Sequence, residues 1–314
     1  MTILITGASG MIGTHLCTRL VTEEYEVVAL LRSVNSQLDI LENNHRNFRI
    51  AYSDIRDRQT LFATINSINP DTVFHLAASC LPCHNDYDFN TTNIDGTVNL
   101  TGALLCCQHT LCDFILASTA SVYSIPTTHL PVDEQHPTQP DRAYGVSKLM
   151  SERICHINMD SVTRVPVLRL ASVFGIGDST RVAGLFMKAA VTGEPLLVQG
   201  DGEQSSDFIY VDDAVQGLIT AWRNRTGDTG TFNIGSGYPT KIIDLAKYII
   251  SVTESKSDIV LSGESNRPFP FWLDVTKARQ ELGYSPRSLL DSLEKYRERF
   301  EQNPDNGITH HRRS

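Results

Sequence analysis

What this chain lacks narrows its reading first. No apolar run approaches the ~20 residues that a membrane helix needs. The chain has no basic surplus: 27 Lys and Arg stand against 36 Asp and Glu, for a net charge of -9. Phosphate backbones need a basic face, so nucleic-acid binding is not expected. The only basic cluster (His310, His311, Arg312 and Arg313) sits in a tail over 303–314 that reads as flexible. The first strand is expected to begin at Thr2, which leaves no room for a signal peptide. Seven cysteines, an odd number, then read as reduced thiols in a cytoplasmic protein. Cys80 and Cys83 have the spacing of half a zinc site. No second cysteine pair with metal-ligand spacing accompanies them, so no metal is expected. No repeat or low-complexity tract stands out.

What is present begins with a rhythm. Short apolar runs over 3–6, 27–31, 48–51, 73–76, 114–117 and 167–170 read as buried strands. Helix-like stretches over 12–22, 59–65, 87–109 and 144–156 alternate with them. A βαβ succession of this kind implies a parallel sheet covered on both faces. Ligands of such a sheet lie beyond the carboxyl ends of its strands. After residue 172 glycine turns and prolines separate shorter elements, with helices expected over 182–192, 211–222, 242–253, 276–282 and 289–300. The expected organisation is a nucleotide-binding domain over 1–171, to which the chain returns around 207–234. A smaller lobe over 172–206 and 235–302 is expected to close over the sheet's carboxyl edge.

At the first strand–helix junction, Gly7, Gly10 and Gly13 recur every third residue. Missing side chains let a backbone approach a pyrophosphate, and the helix N-terminus offers N–H donors to it. The second strand ends on Leu31 and Arg32, where an NAD site usually carries an acid for the ribose 2′-hydroxyl. An arginine suits a 2′-phosphate instead, which points to NADP, with NAD as the alternative. Asp54 and Ile55 close the third strand on the adenine side. Leu76, Ala77 and Ala78 end the fourth and leave space for ribose and diphosphate. Thr92 or Asn93 is placed to reach the nicotinamide side, whereas His75 reads as a packed strand-end residue.

Tyr144 and Lys148 lie four residues apart and so share one helix face. An ammonium beside a phenol favours the phenolate and readies it for proton transfer near neutral pH. Asp212 and Asp213 look like a metal pair, but at a helix start they suit the positive end of the dipole.

Together these motifs resemble the extended short-chain dehydrogenase/reductase family, the NAD(P)-dependent epimerase/dehydratase group that includes UDP-galactose 4-epimerase. TGASGMIG (6–13), HLAA (75–78), NIDGTVNL (93–100), STASVY (118–123), YGVSK (144–148), RLASVFG (169–175) and FNIGSG (232–237) fall in the family's order across nearly the whole chain. The resemblance implies a Rossmann doubly wound α/β domain, a smaller C-terminal α/β substrate lobe, and often a homodimer joined through two helices per subunit. It implies Tyr144 as acid/base, Lys148 on the nicotinamide ribose and Thr119 on the reacting oxygen. Met11 and Ile12 would join the glycines in lining the cofactor.

Departures from the family pattern narrow the reaction. Ala120 and Ser121 follow Thr119 where dehydratases carry an Asp-Glu pair, which argues against elimination of water. Ser172 and Ser206 stand where epimerases often use asparagine and arginine on the substrate's diphosphate, and Arg267 is a substitute for the lost charge. With Arg32 favouring NADPH, the leading expectation is a reductase of a keto-sugar, a nucleotide-linked 4-keto-6-deoxyhexose. A nucleotide-sugar 4-epimerase using NAD is the alternative, and a non-catalytic dinucleotide sensor stands behind both.

Overall fold

The structure is a computed structural model. It describes residues 1–80, 88–106, 113–159, 161, 163–178, 180–224, 230–263 and 269–302. Two compact units divide the chain. The first holds residues 1–125, 137–169 and 217–232, and the second holds 126–136, 170–216 and 233–314.

The first unit opens with β1 (Thr2–Thr6), α1 (Met11–Thr22), β2 (Glu26–Leu31), α2 (Ser36–Asn44), β3 (Phe48–Tyr52), α3 (Arg58–Ile68) and β4 (Thr72–His75). A π-helical turn, Phe89–Asp95, then runs directly into α4 (Gly96–Leu105). β5 (Asp113–Thr119) ends in a 3₁₀ turn, Ala120–Val122, and α5 (Ala143–Met159) and β6 (Val167–Leu170) follow. The capping chemistry is local. Asn35 accepts from Gln37 N and Leu38 N at the start of α2, and Asp57 does the same for Gln59 N and Thr60 N at α3. The sequence reading had no helix over 36–44, because its few apolar residues make a weak stripe. Asn35 was the signal that marked its start.

Seven strands form the main sheet in the order β11-β6-β5-β4-β1-β2-β3, where β11 is Thr231–Ile234. From β3 through β5 the neighbouring strands pair in parallel. Strand order reverses between β1 and β4, so a crevice opens beyond their carboxyl ends. One face of the sheet buries Leu4, Val28, Val73, Phe114 and Leu116 against Ile65, Leu100, Cys155 and Met159 of the helices. Each such side chain contributes about 1.5–3 kcal/mol.

The second unit contains β7 (Ser172–Phe174), α6 (Val182–Thr192), β8 (Leu196–Gln199), β9 (Ser205–Ser206) and β10 (Phe208–Tyr210). α7 (Val211–Arg223) begins in this unit and its residues from 217 on are counted in the first, with Asp212 and Asp213 in its first turn as the dipole argument expects. Past β11 come β12 (Thr240–Lys241), α8 (Ile242–Thr253), β13 (Ile259–Ser262), α9 (Thr276–Leu282) and α10 (Leu289–Gln302). The sequence reading kept 126–136 inside 1–171, whereas this segment belongs to the second unit. Val132 bridges Leu273 there: its N–H donates to Trp272 O and its carbonyl accepts from Asp274 N. The expected tail over 303–314 and Cys83 lie outside the described residues.

Candidate active site

The glycine turn sits at the β1–α1 junction, and its three glycines answer to different constraints. Gly7 has φ +69°, and a Cβ there would lie 2.5 Å from Ala77 N, in the backbone that leaves β4. A Cβ on Gly13 would lie 2.2 Å from Gly7 O. Both positions are closed by the protein's own backbone. At Gly10 the nearest atom to a Cβ is Gly7 O at 3.3 Å, a tight contact that a shift of a few tenths of an ångström would relieve. No side chain caps α1, unlike α2 and α3, and no acid stands in its first turn. The N–H groups of Met11, Ile12 and Gly13 therefore meet the helix dipole at an uncapped end, a cradle suited to a pyrophosphate.

Other expected cofactor positions end the neighbouring strands. Leu76, Ala77 and Ala78 are half-buried just past β4, and Ile55 packs beneath Gly96, where a Cβ would meet its Cδ1 at 2.6 Å. Arg32 is exposed after β2. Asp54 is engaged by Arg56, whose Nε lies 3.1 and 3.0 Å from its two oxygens and whose Nη2 lies 2.6 Å from Oδ2. The Arg56 hydrogen bonds hold the Asp54 carboxyl below the usual range, and Arg32 adds a smaller pull in the same direction. Asp54, Arg56, Asp57, Thr91 and Asp95 line a cleft of about 360 Å³.

Tyr144 is half-buried in the first turn of α5, with its ring 6.1 Å from that of Phe89. Its backbone carbonyl accepts from Ser147 Oγ at 2.8 Å. Lys148 is 2% exposed. Burial pulls its ammonium below the ordinary lysine range, against the opposing pull of Cys155, Glu152 and Cys80. Thr119 ends β5, where its Oγ1 accepts from Ser121 N at 3.1 Å. That bond uses a lone pair and leaves the O–H to donate. α5 approaches this strand end closely, since a Cβ on Gly145 would lie 2.2 Å from Ser121 O.

Beneath these groups lies a buried polar network. Asn93 Oδ1 accepts from Ser79 N at 2.7 Å, and its Nδ2 donates to Ser79 O and, at 2.8 Å, to Ser147 Oγ. Asn93 is thus committed to holding α5 and the segment after β4 together, while Thr92 stays half-exposed. The π-helical turn re-aims this side chain, a common use of such turns at functional sites. His75 Nδ1 meets Thr6 Oγ1 at 2.7 Å and its Nε2 meets Thr97 Oγ1 at 3.0 Å. Burial, aided by Lys148, pushes its pKa down to about 3, so it is a neutral packing residue.

In the second unit Ser172 and Ser206 come together, with their hydroxyls 3.3 Å apart and half-buried. Arg267 lies outside the described residues. Sequence reasoning missed Ser118, Glu152 and Arg169, which are buried together. The one local signal was Glu152, a charge on the apolar face of α5 one turn beyond Lys148.

The model of the NAD dependent epimerase/dehydratase family matches residues 3–235. A Bacillus subtilis (strain 168) protein named uncharacterized UDP-glucose epimerase YtcB is 31% identical over 310 residues, covering 93% of this chain and 96% of its own. UDP-glucuronic acid decarboxylase 1 of Xenopus tropicalis is 30% identical, over 90% of this chain and 68% of its own. The crystal structure of UDP-glucuronic acid 4-epimerase from Bacillus cereus, in complex with UDP-glucuronic acid and NAD, matches with a TM-score of 0.84 at 30% identity. That match covers 96% of this chain and 99% of the other.

Proposed function

The chain belongs to the NAD-dependent epimerase/dehydratase family, and from that premise we propose that it inverts C4 of a UDP-linked hexose or hexuronate using NAD. The observation that carries the proposal is the pairing of an uncapped glycine turn with Tyr144 one helical turn before a buried Lys148 and with Thr119 at the adjoining strand end. The keto-sugar reductase expected from Arg32 gives way to this reading, because the relatives are named for epimerisation and decarboxylation of UDP-sugars and one is complexed with NAD.

The residues divide the work by their chemistry. Gly7, Gly10, Met11, Ile12 and Gly13 hold the diphosphate, with Asp54 and Ile55 on the adenine side. Leu76, Ala77, Ala78 and Thr92 line the remainder. NAD bound there would supply the reversible hydride acceptor that oxidation and re-reduction at C4 require. Tyr144 takes the C4 hydroxyl proton and later gives it back to the C4 oxygen. Thr119 donates to that oxygen, and Lys148 holds the nicotinamide ribose and favours the tyrosinate. Ser172 and Ser206 offer neutral hydrogen bonds to the sugar nucleotide, with Arg267 as a further substrate contact.

The deciding experiment incubates the purified protein with UDP-glucose, UDP-galactose and UDP-glucuronate and follows the anomeric signals by NMR. A C4 epimer formed without added reductant is expected. A 4-keto uronate is a β-keto acid, so release of carbon dioxide from UDP-glucuronate alone would instead identify a decarboxylase. Consumption of NADPH on a ketone with no epimer would restore the reductase.

Two cofactor predictions follow from the glycine turn and Arg32. Gly13→Ala is expected to weaken NAD binding at least about tenfold, since its methyl must displace backbone at a cost of about 1–3 kcal/mol. Calorimetric titration reads this directly. Wild type is expected to hold NAD more tightly than NADP, because Arg32 shares its field with Asp54. Arg32→Ala should then weaken NADP about five- to tenfold and leave NAD within about twofold. A wild-type preference for NADP would overturn this.

A homodimer fits the first unit's surface. α4 and α5 pack side by side and expose Val98 and Leu105 on one, and Val146, Met150 and Ile157 on the other. Ile157 is 80% exposed. These apolar positions recur at helical spacing, as a helix-to-helix interface requires. The double variant Met150→Asp/Ile157→Asp is expected to run as a monomer by light scattering while wild type runs as a dimer.

A further inference from the structure

Glu152 lies one turn beyond Lys148 and two turns beyond Tyr144 on α5, and it is 3% exposed. Arg169 of β6 grips it with Nε 3.1 Å from Oε1 and Nη2 2.7 Å from Oε2. Ser118, the residue before Thr119, donates its hydroxyl to the same carboxylate. The Arg169 guanidinium lies 4.8 Å from the ring centroid of Tyr123, just past the 3₁₀ turn that follows Thr119. The strand end that carries Thr119 is therefore fastened to α5 at two levels. One is the tight approach of Gly145 to Ser121 O, and the other is this buried cluster.

From this geometry we propose that Glu152, held by Arg169 and Ser118, is a positioning residue that fixes the Tyr144–Lys148 helix against the Thr119 strand and keeps Lys148 a cation. The proposal rests on the roles given above to Thr119, Tyr144 and Lys148. Lys148 is faced by Glu152 and Cys155 from its own helix, by Cys80 after β4, and by neutral His75 of β4. Glu152 is the only carboxylate among them. Its own neighbours are Arg169 of β6, Ser118 of β5 and Lys148. An ordinary buried ion pair would need only to be satisfied. This one also ties the catalytic helix to the residue next to Thr119.

The charge argument has a definite sign. Glu152→Gln removes the anion that favours the Lys148 ammonium and leaves the Arg169 cation uncompensated beside it. Lys148 then gives up its proton at lower pH. Without the ammonium, the Tyr144 phenolate loses its stabilising partner and the phenol titrates at higher pH.

The test labels tyrosine with carbon-13 at Cζ and assigns the Tyr144 signal by its absence in Tyr144→Phe. In Glu152→Gln the Tyr144 titration is expected to move up by about one pH unit. In parallel, kcat should fall about tenfold with KM within about twofold, and the acid limb of the rate profile should move with the titration. Glu152→Met/Arg169→Met, which removes both charges, should return the titration close to wild type. A wild-type titration and kcat in Glu152→Gln, with only a lower melting temperature, would overturn the proposal. Should Glu152→Gln fail to fold, Ser118→Ala keeps the ion pair and cuts only the tie to the Thr119 strand. It is expected to lower kcat about threefold at unchanged KM, and a wild-type kcat there would overturn the positioning role. The Tyr144 titration needs no sugar, so it still decides the matter if the proposed reaction is wrong.

Discussion

Replacing Tyr144 by phenylalanine is expected to lower turnover of the UDP-sugar by about 10²–10⁴-fold, the usual worth of a positioned acid/base. Tyr144 is half-buried beside Phe89, and its backbone carbonyl accepts a bond from Ser147 Oγ that the substitution leaves in place. A phenylalanine keeps the packing and deletes one oxygen. Binding of dinucleotide and sugar nucleotide should therefore stay within about threefold, since the lost interaction belongs to the transition state. NMR assay of C4 inversion, with calorimetry for binding, separates the two quantities. Turnover within about threefold of wild type would remove Tyr144 from the chemistry. Equal losses in binding and turnover would make it a substrate contact instead.

The second large effect concerns stability. Asp207 is 1% exposed in the second unit, and its carboxylate gathers four donors. Ser236 N and Oγ reach Oδ1 at 2.7 and 2.6 Å, and Gly237 N and Leu273 N each reach Oδ2 at 3.2 Å. Burial raises this carboxyl above the usual aspartate range, and the four donors work against the rise. The carboxylate also explains Gly235, where a Cβ would lie 2.4 Å from Oδ2. Asp207→Ala strands donors that cannot all reach water, for a loss of roughly 3–5 kcal/mol. Asp207→Asn should recover only part of this. Its carbonyl oxygen can serve one pair of donors, but its amide then turns N–H groups toward the other pair. Urea unfolding followed by circular dichroism measures both variants. A loss below about 1 kcal/mol for the alanine variant would show that the Ser236–Gly237 turn holds without its carboxylate.

Much of this protein was legible in its one-dimensional pattern. Buried parallel strands are continuous apolar runs, so β1, β2, β5 and β6 announced themselves. The glycine turn and the Tyr144–Lys148 spacing are local, set by chain geometry over a few residues. Position 10 is tight but could give slightly, while Gly7 and Gly13 are demanded by neighbouring backbone; all three look alike in sequence. The setting of Arg32 was less legible for the same reason. The absence of an acid at Leu31 is local, but the carboxylate of Asp54 that shares the field of Arg32 arrives from another strand.

By itself, then, the sequence determined the alternation of strands and helices, the uncapped glycine turn and the helical face that pairs Tyr144 with Lys148. Each of these depends only on backbone sterics and residue periodicity within a few turns. Tertiary structure alone decided that Glu152 meets Ser118 and Arg169, that Asn93 ties Ser79 to Ser147, that Asp207 collects Ser236, Gly237 and Leu273, and that the hydroxyls of Ser172 and Ser206 meet. Buried polar groups must find partners wherever packing brings them, and packing joins positions whose separation along the chain carries no periodic signal.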